Sequence, residues 1–314
     1  MIYTDMRDAF FEELLIAAKK DKDIIFLTGD QGAQSLQKFY DEIPKQVLNC
    51  GPSEQNIINM AAGLTSVGKK VFIHGITPFI TLRCFEQISL SLGIRKAPVT
   101  IVGIGTGFSY SHEGPTHNAI IDVSMMRSIP GMKIYCPSDT ISLASIIKNL
   151  GEEPCLSYVR FDHDNLPFVY DKIKYNFIDG LNKIKEGVDG TIIASGNMIH
   201  KAIEISKRIE KKGLKIGIID LHCLKPLNKD VLISKLNTNK VITIEEHILD
   251  GGMGSIIAEF ICDNNLEIEL KRIGMTDYLQ DYGPREVLSE KIGLDIDALT
   301  NKVEEFIKWQ VVFI

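Results

Sequence analysis

The sequence predicts an α/β protein built from two doubly wound domains. Short apolar runs alternate with longer amphipathic stretches along the 314 residues, as strands and helices do in such folds. Most of the apolar runs do not alternate with polar residues, which is typical of parallel strands that helices cover on both faces. The length corresponds to roughly two domains of about 150 residues each.

Nine apolar runs predict the strands, and three amphipathic segments with an apolar stripe at helical spacing predict helices. The strands are Asp23–Gly29, Lys70–Gly75, Val99–Gly103, Lys133–Cys136, Leu156–Arg160, Thr191–Ser195, Lys215–Leu221, Val241–Glu245 and Leu266–Arg272. The helices are Thr4–Lys20 (with Met6, Phe10, Leu14 and Ala17), Ser53–Val67 (with Ile57, Ala61 and Leu64) and Met198–Lys211 (with Ala202, Ile205 and Ile209).

The segment between Asp162 and Gly190 shows neither pattern. It holds scattered charges, a proline and no sustained period, which is typical of a connecting segment. We therefore predict a first domain at residues 1–165, a linker at 166–187 with room for one crossing strand, and a smaller second domain at 188–314.

Composition excludes several classes of protein. The formal net charge of −6 gives no global basic field of the kind that nucleic-acid binders carry. The N-terminal segment lacks the basic and apolar regions of a signal peptide, and no run of about 18 apolar residues predicts a membrane span. The six cysteines have no zinc spacing and indicate free thiols in a reducing compartment. We expect a cytoplasmic protein that binds neither nucleic acid nor membrane.

Glu54 is the first candidate functional residue. It follows the turn-forming run Gly51-Pro52-Ser53 and stands in the first turn of a predicted helix. Serine is a good helix cap, and the helix dipole favours an acid in the first turn. The position alone leaves open whether Glu54 is such a structural acid or a functional one.

The segment Tyr110–Asn118 is the second candidate. It carries His112, Glu113 and His117 after an apolar strand, and open α/β sheets bind ligands where their strands end. The same residues also fit a polar turn, and their spacing matches no recognised metal site.

A glycine-rich segment, Gly251–Ser255, is the third candidate. It follows Glu245-Glu246-His247 and opens a predicted helix, whose N-terminus is able to bind an anion. Close packing of the helix on the sheet explains the glycines equally well.

Five segments of the chain carry a resemblance as a set. They are Gly51–Leu64 (GPSEQNIINMAAGL), Phe85-Glu86-Gln87, Glu113–His117 (EGPTH), Met126–Pro137 (MRSIPGMKIYCP) and Glu245–Ser255 (EEHILDGGMGS). Their order resembles the C-terminal half of transketolase, and most closely the stand-alone C-terminal subunit of two-chain transketolases. The resemblance covers essentially the whole chain. It implies a pyrimidine-binding domain for thiamine diphosphate, followed by a smaller transketolase C-terminal domain.

The resemblance implies that Glu54 contacts the N1′ atom of the cofactor's aminopyrimidine. A protonated carboxyl group there favours the imino tautomer, whose nitrogen removes the C2 proton of the thiazolium ring. Such a glutamic acid needs a raised pKa, which a desolvated pocket supplies. Phe79 matches the aromatic residue that stacks on the pyrimidine, and Ile76 stands where a second aromatic residue is common in the family.

The resemblance also implies substrate contacts. His117 matches a catalytic histidine that binds hydroxyls of the ketose donor, and Glu113 stands where transketolases usually have aspartate. Arg160 matches an arginine that binds a phosphate end, although the carboxylates of Asp162 and Asp164 would repel a phosphate nearby. The implied reaction transfers a two-carbon ketol unit from a ketose (phosphate) to an aldose.

A partner chain follows from the same resemblance. Family members hold the diphosphate through Mg²⁺ with a Gly-Asp-Gly motif and a later Asn, and this sequence contains no Gly-Asp-Gly. The resemblance therefore implies an N-terminal transketolase subunit with that motif and an α₂β₂ assembly, and it assigns Glu245-Glu246-His247 to structure. Three alternatives stay open: the β subunit of a 2-oxo-acid dehydrogenase, a 1-deoxyxylulose-5-phosphate synthase-like enzyme, and a non-catalytic scaffold subunit.

Overall fold

Two α/β domains form in the computed structural model, which describes residues 5–30, 34–171 and 175–309. The strands are β1 (Ile24–Thr28), β2 (Val47–Asn49), β3 (Lys70–Ile76), β4 (Val99–Ile104), β5 (Lys133–Tyr135), β6 (Ser157–Phe161), β7 (Asn182–Lys185), β8 (Gly190–Ala194), β9 (Ile216–Asp220), β10 (Cys223–Lys225), β11 (Lys240–Ile248) and β12 (Glu269–Met275). The helices are α1 (Met6–Lys20), α2 (Gln37–Glu42), α3 (Glu54–Ser66), α4 (Thr77–Ile80), α5 (Phe85–Gln87), α6 (Asp122–Arg127), α7 (Thr140–Glu152), α8 (Met198–Glu210), α9 (Lys229–Lys235), α10 (Met253–Asp263), α11 (Arg285–Lys291) and α12 (Ile296–Lys308), with a π-helical turn at Ile88–Gly93.

The first sheet has seven strands in the order β10-β5-β6-β4-β3-β1-β2. All neighbours run parallel except β10, which is antiparallel to β5. Every residue of β1, β4 and β6 is buried, as predicted for strands covered on both faces. Because the strands are parallel, the carboxyl ends of β1, β3, β4 and β6 meet at one edge of the sheet.

The second sheet has five strands in the order β12-β11-β8-β9-β7. It is parallel except for β7, which pairs antiparallel with β9. Strand β9 belongs to this sheet, yet β10, which follows it almost directly, pairs with β5 of the first sheet. The chain therefore joins the two sheets through β10 as well as through the segment between the domains.

The sequence patterns miss β2, β7 and β10, which have only three or four residues each. Such strands hold too few side chains to show a period, and two of them, β7 and β10, pair antiparallel with their neighbours. Strand β7 lies inside the predicted linker at 166–187, which had room for one crossing strand. The predicted domain boundaries themselves stay a prediction.

Helix α1 shows how the core of the first domain is built. The helix predicted from Thr4 begins at Met6, and Thr4 lies outside the described residues. The Asp5 carboxylate accepts from the Arg7 N–H at 2.8 Å and caps the helix. Of the predicted stripe, Met6, Phe10 and Leu14 are buried and Ala17 is half buried, and all four pack with α7 in one hydrophobic cluster over the sheet. In the described ranges, no helix is both long enough and apolar enough to cross a membrane.

Candidate active site

The candidate site lies at the carboxyl edge of the first sheet. Strand β3 ends at the half-buried Ile76 and runs into α4, which carries Phe79. Strand β4 ends at Ile104, directly opposite Ile76, and leads into the loop that carries Glu113 and His117. The parallel pairing therefore brings α4 and this loop to the same place.

Glu54 begins α3 beside this edge. The turn before it depends on Gly51, whose φ of 67° lies in the left-handed region that glycine adopts without strain. Ser53 occupies the N-cap position, but its hydroxyl donates to the Cys50 carbonyl at 2.9 Å and caps no helical N–H. Glu54 is only 7% exposed. A carboxylate buried to this extent needs a polar partner.

Arg83 is that partner, and it connects Glu54 to an aromatic surface. Its Nη1 donates to Glu54 Oε2 at 2.9 Å, and its guanidinium carbon lies 4.4 Å from the centre of the Phe79 ring. The Phe79 ring meets the His117 ring edge-on, with 4.8 Å between the ring centres. Arg83 thus connects Glu54 to Phe79, and Phe79 contacts His117. These three predicted site residues form one continuous row.

The loop between β4 and α6 folds into two short 3₁₀ turns, Ser111–Glu113 and Pro115–His117. Gly114 joins the turns with a φ of 82°. Glu113 is exposed and His117 is half buried. Both side chains are therefore accessible to a molecule that enters beside Phe79.

Arg160 lies apart from this row. It is 7% exposed, and its Nε and Nη2 donate to the two carboxylate oxygens of Asp122 at 2.6 and 3.2 Å. The Tyr158 hydroxyl donates to the same carboxylate at 2.6 Å, and Arg160 Nη1 faces the Cys136 sulfur at 3.5 Å. Asp122 thus occupies the Nε–Nη2 edge of the buried guanidinium, and the phosphate contact of Arg160 stays a prediction.

A second arginine, Arg285 of α11, joins the second domain to the base of the loop. Its guanidinium donates to Glu246 and Asp162, both at 2.6 Å, and to Asp164 at 3.2 Å. Burial alone would raise the pKa of Asp162, but Arg285 and the Ser109 hydroxyl hold it below its usual value. The two carboxylates expected to repel a phosphate therefore share the single positive charge of Arg285 with Glu246.

Glu246, one of the partners of Arg285, also holds the backbone at the start of the loop. The Phe108 N–H donates to Glu246 Oε2 at 3.0 Å. Gly107 has a φ of 54°, and a Cβ there would lie 2.0 Å from the same oxygen, so the site requires glycine. The Ser111 hydroxyl donates to the Gly283 carbonyl at 2.7 Å. Residues of both domains thus hold the loop in place.

The third candidate, the glycine-rich segment, forms the N-terminus of α10. The carboxylate of Glu245 accepts from the backbone N–H groups of Met253 at 2.7 Å and Gly254 at 2.8 Å. Burial raises the pKa of Glu245 to about 7, and these two hydrogen bonds oppose the rise. The helix N-terminus is therefore occupied by the chain's own carboxyl group.

Sequence reasoning missed Arg83, Asp122 and Arg285. Arg83 follows Phe79 by four residues, a spacing that places two side chains on one face of a helical turn, so a local signal existed. Asp122 lies 38 residues from Arg160, and Arg285 lies 123 residues from Asp162. At such separations the sequence gives no indication of which charges will meet.

The row fits one end of thiamine diphosphate by the chemistry of its side chains. A buried carboxyl group near a half-buried aromatic ring suits a flat heterocycle with ring nitrogens. The diphosphate end finds no such match in the described residues. The group of potential metal ligands found among them is Asp162-His163-Asp164, whose two carboxylates are already paired with Arg285.

The two α/β domains, with a buried acid and an aromatic ring at the carboxyl edge of the first sheet, place the chain in the class of α/β proteins that bind a ligand where parallel strands end. Residues 3–168 match the family described as transketolase, pyrimidine binding domain, and residues 180–299 match transketolase, C-terminal domain. The chain belongs to the transketolase family.

Individual relatives agree with this assignment. The chain is 32% identical to a subunit of the apulose-4-phosphate transketolase of Phocaeicola vulgatus, over 96% of this chain and 97% of that protein. It is 31% identical to a subunit of the 6-deoxy-6-sulfo-D-fructose transketolase of a Clostridium species, over 96% and 94%. A solved structure described as "Split gene transketolase, inactive beta4 tetramer" matches with a TM-score of 0.86 and 29% identity, over 96% and 98%. These similarities confirm the predicted family, fold and transketolase-type transferase class.

Proposed function

We propose that this chain is the C-terminal subunit of a two-chain transketolase that uses thiamine diphosphate and Mg²⁺. The observation that carries the proposal is the row of Glu54, Phe79 and His117, in which Arg83 joins a buried acid to a half-buried aromatic ring. Family membership supports it, because this row lies within the part of the chain that matches the transketolase pyrimidine binding domain.

Each residue of the row has a proposed task. Thiamine diphosphate, when bound, supplies the carbon nucleophile that cleaves the bond next to a ketose carbonyl. Glu54 holds a proton at the N1′ atom of the pyrimidine, and Phe79 and Ile76 give the pyrimidine a flat apolar contact. His117 hydrogen-bonds the sugar hydroxyls, and Glu113 accepts hydrogen bonds from them at the entrance.

The proposed substrates are a ketose donor and an aldose acceptor, between which a two-carbon ketol unit passes. Two relatives are named for apulose-4-phosphate and 6-deoxy-6-sulfo-D-fructose, which supports a sugar with an anionic end. We assign that end to groups other than Arg160, because the Arg160 guanidinium is bound to Asp122.

The proposed partner is an N-terminal transketolase subunit whose Gly-Asp-Gly motif and later Asn hold Mg²⁺ and the diphosphate in an α₂β₂ assembly. This chain contains no Gly-Asp-Gly, and both of these relatives are named as transketolase subunits. The related β₄ tetramer described as inactive also supports a requirement for a second kind of subunit. The six free thiols suit the reducing cytoplasm as the compartment.

Replacement of Glu54 tests this function. In the chain combined with its partner subunit, thiamine diphosphate and Mg²⁺, Glu54→Ala should lower ketol transfer by about 10²- to 10⁴-fold, because the proton at N1′ is lost. Glu86→Ala, which removes an exposed glutamate nearby, is the matched control and should leave the rate unchanged. A Glu54→Ala complex as fast as the control would remove Glu54 from the mechanism.

The choice of donor separates the alternatives. Steady-state rates with ketoses and with pyruvate as donor are compared in the same complex. Turnover of ketoses supports the transketolase function, whereas turnover of pyruvate alone would favour the 2-oxo-acid dehydrogenase or 1-deoxyxylulose-5-phosphate synthase alternative. A complex that binds no thiamine diphosphate in a calorimetric titration would favour the scaffold alternative.

A further inference from the structure

Arg83 contacts both groups that the proposed function assigns to the pyrimidine. Its Nη1 lies 2.9 Å from Glu54 Oε2, and its Cζ lies 4.4 Å from the centre of the Phe79 ring. A guanidinium is flat and delocalised, donates hydrogen bonds in its plane and stacks on aromatic faces. It therefore satisfies the same acid and the same ring that a bound pyrimidine would use.

Arg83 and a bound pyrimidine would compete for the same contacts. The guanidinium bonds Glu54 Oε2 and covers the Phe79 face on which a flat heterocycle would stack. A pyrimidine that stacks on this face of Phe79 therefore has to displace Arg83.

The exposure of Arg83 allows its side chain to move away from Glu54. Its side chain is 49% exposed, whereas that of Glu54 is 9% exposed. It lies in the turn between α4 and α5, and among the described residues the hydrogen-bond partner of its guanidinium is Glu54 alone. An exposed guanidinium loses little when it moves into solvent, because solvent already screens the pair. The buried acid stays in place and the arginine is the member that moves.

We infer that Arg83 is a positioning residue that occupies the Glu54 carboxyl group and keeps the Phe79 face covered until the pyrimidine displaces it. This inference rests on the proposed function, since it concerns the same acid and the same ring. It gives the chain a closed state before cofactor arrives, in which the catalytic acid is held as an ion pair. Removal of Arg83 then makes the pyrimidine easier to bind.

The test uses the full chain without its partner and a probe that lacks the diphosphate. The free heterocycle 4-amino-5-hydroxymethyl-2-methylpyrimidine is titrated into the wild type, Arg83→Gln, Arg83→Lys and Arg95→Gln, and the dissociation constants are measured by NMR. Arg95 is an exposed arginine that bonds Ser66 and serves as the charge-matched control. Arg83→Gln should bind about 3- to 30-fold more tightly than the wild type and the control. Arg83→Lys, which keeps the charge without the planar fork, should fall between them.

Two results would overturn the inference. One is an Arg83→Gln chain that binds the probe no more tightly than the wild type. The other is the absence of binding by all four chains, because a feature other than Arg83 would then close the site. Failure of the proposed function shows separately, as a partner complex that transfers no ketol unit with thiamine diphosphate.

Discussion

Arg160 lies near the carboxyl end of β6, where an arginine would suit an anionic ligand, yet Asp122 occupies its fork. The carboxylate is completely buried and also accepts from the Tyr158 hydroxyl. Taking such a pair out of water is costly, and the pair is tolerated only because each charge meets its opposite in good geometry. We therefore expect the Arg160–Asp122 pair to matter for the stability of the fold.

Removal of the counter-charge tests this role. Asp122→Asn should lower the free energy of unfolding by about 3–5 kcal/mol, because the Arg160 charge stays buried without its partner. Urea titration measures the change, and Arg208→Gln, whose ion pairs are on the surface, is the control that should change little. The structural role of Arg160 is wrong if Arg160→Lys leaves stability unchanged and raises the KM for phosphorylated sugars.

Single residues divide into those that the sequence predicts and those that it does not. Glu54 and His117 stand in short segments whose turns and glycines made them candidates, whereas their roles came from the family resemblance and stay a prediction. Charge partners were not predictable, because a buried carboxylate requires a cation without specifying which one. Arg83, Asp122 and Arg285 act through contacts across 29 to 123 residues of chain.

Among the secondary-structure elements, a strand that is buried on both faces is easier to predict from its sequence than a half-buried one. Strands such as β4, with six buried residues, stand out as apolar runs, and all nine predicted runs form strands. The edge strand β7 reads Asn-Lys-Ile-Lys and is half buried throughout, so its pattern is too weak to predict a strand. Its pairing with β9 depends on tertiary structure that local sequence does not contain.

We predict that the free energy of unfolding depends on pH through Glu245, whose carboxyl group lies at the N-terminus of α10. The pKa of Glu245 is raised from 4.5 to about 7 by burial, so the folded chain holds a proton there that the unfolded chain has released. Its contribution to stability is fully present below about pH 4.5 and is lost as the pH rises through 7. Between pH 5 and 7, the free energy of unfolding of Glu245→Gln should fall less steeply than that of the wild type, by up to about 1.4 kcal/mol per pH unit.

Urea titrations at several pH values measure this difference in slope. The buried histidines His74, His222 and His247, whose pKa is lowered to about 4 by burial, act in the opposite direction below pH 6.5. They are the same in both chains, so the difference isolates Glu245. Glu267→Gln, at an exposed position, is the control and should keep the wild-type slope. Equal slopes for wild type and Glu245→Gln would contradict the buried, protonated state.

At the scale of the whole molecule, Arg285 connects the two domains. It donates hydrogen bonds to Glu246 of β11 and to Asp162 and Asp164, which follow β6. Burial would lower the pKa of Arg285, but Glu246 and Asp162 raise it above its usual value. The second domain thereby supports the loop that carries Glu113 and His117.

Loss of Arg285 should therefore uncouple the domains. Arg285→Gln leaves two buried carboxylates, Asp162 and Glu246, without a counter-charge, and we expect a loss of about 3–5 kcal/mol in the free energy of unfolding. Scanning calorimetry should show the single transition of the wild type divided into two. Arg285→Lys, which keeps the charge, should be intermediate, and an unchanged single transition in Arg285→Gln would rule out the coupling.

We propose that this chain supplies the acid and the ring for the pyrimidine, and that a second subunit supplies the binding site for the diphosphate. The most direct measurement is ketol transfer from a ketose to an aldose, with thiamine diphosphate and Mg²⁺, by this chain alone and by an equimolar mixture with the partner subunit that carries the Gly-Asp-Gly motif. We predict turnover in the mixture and none above background for the chain alone. Turnover by the purified chain alone would contradict the account.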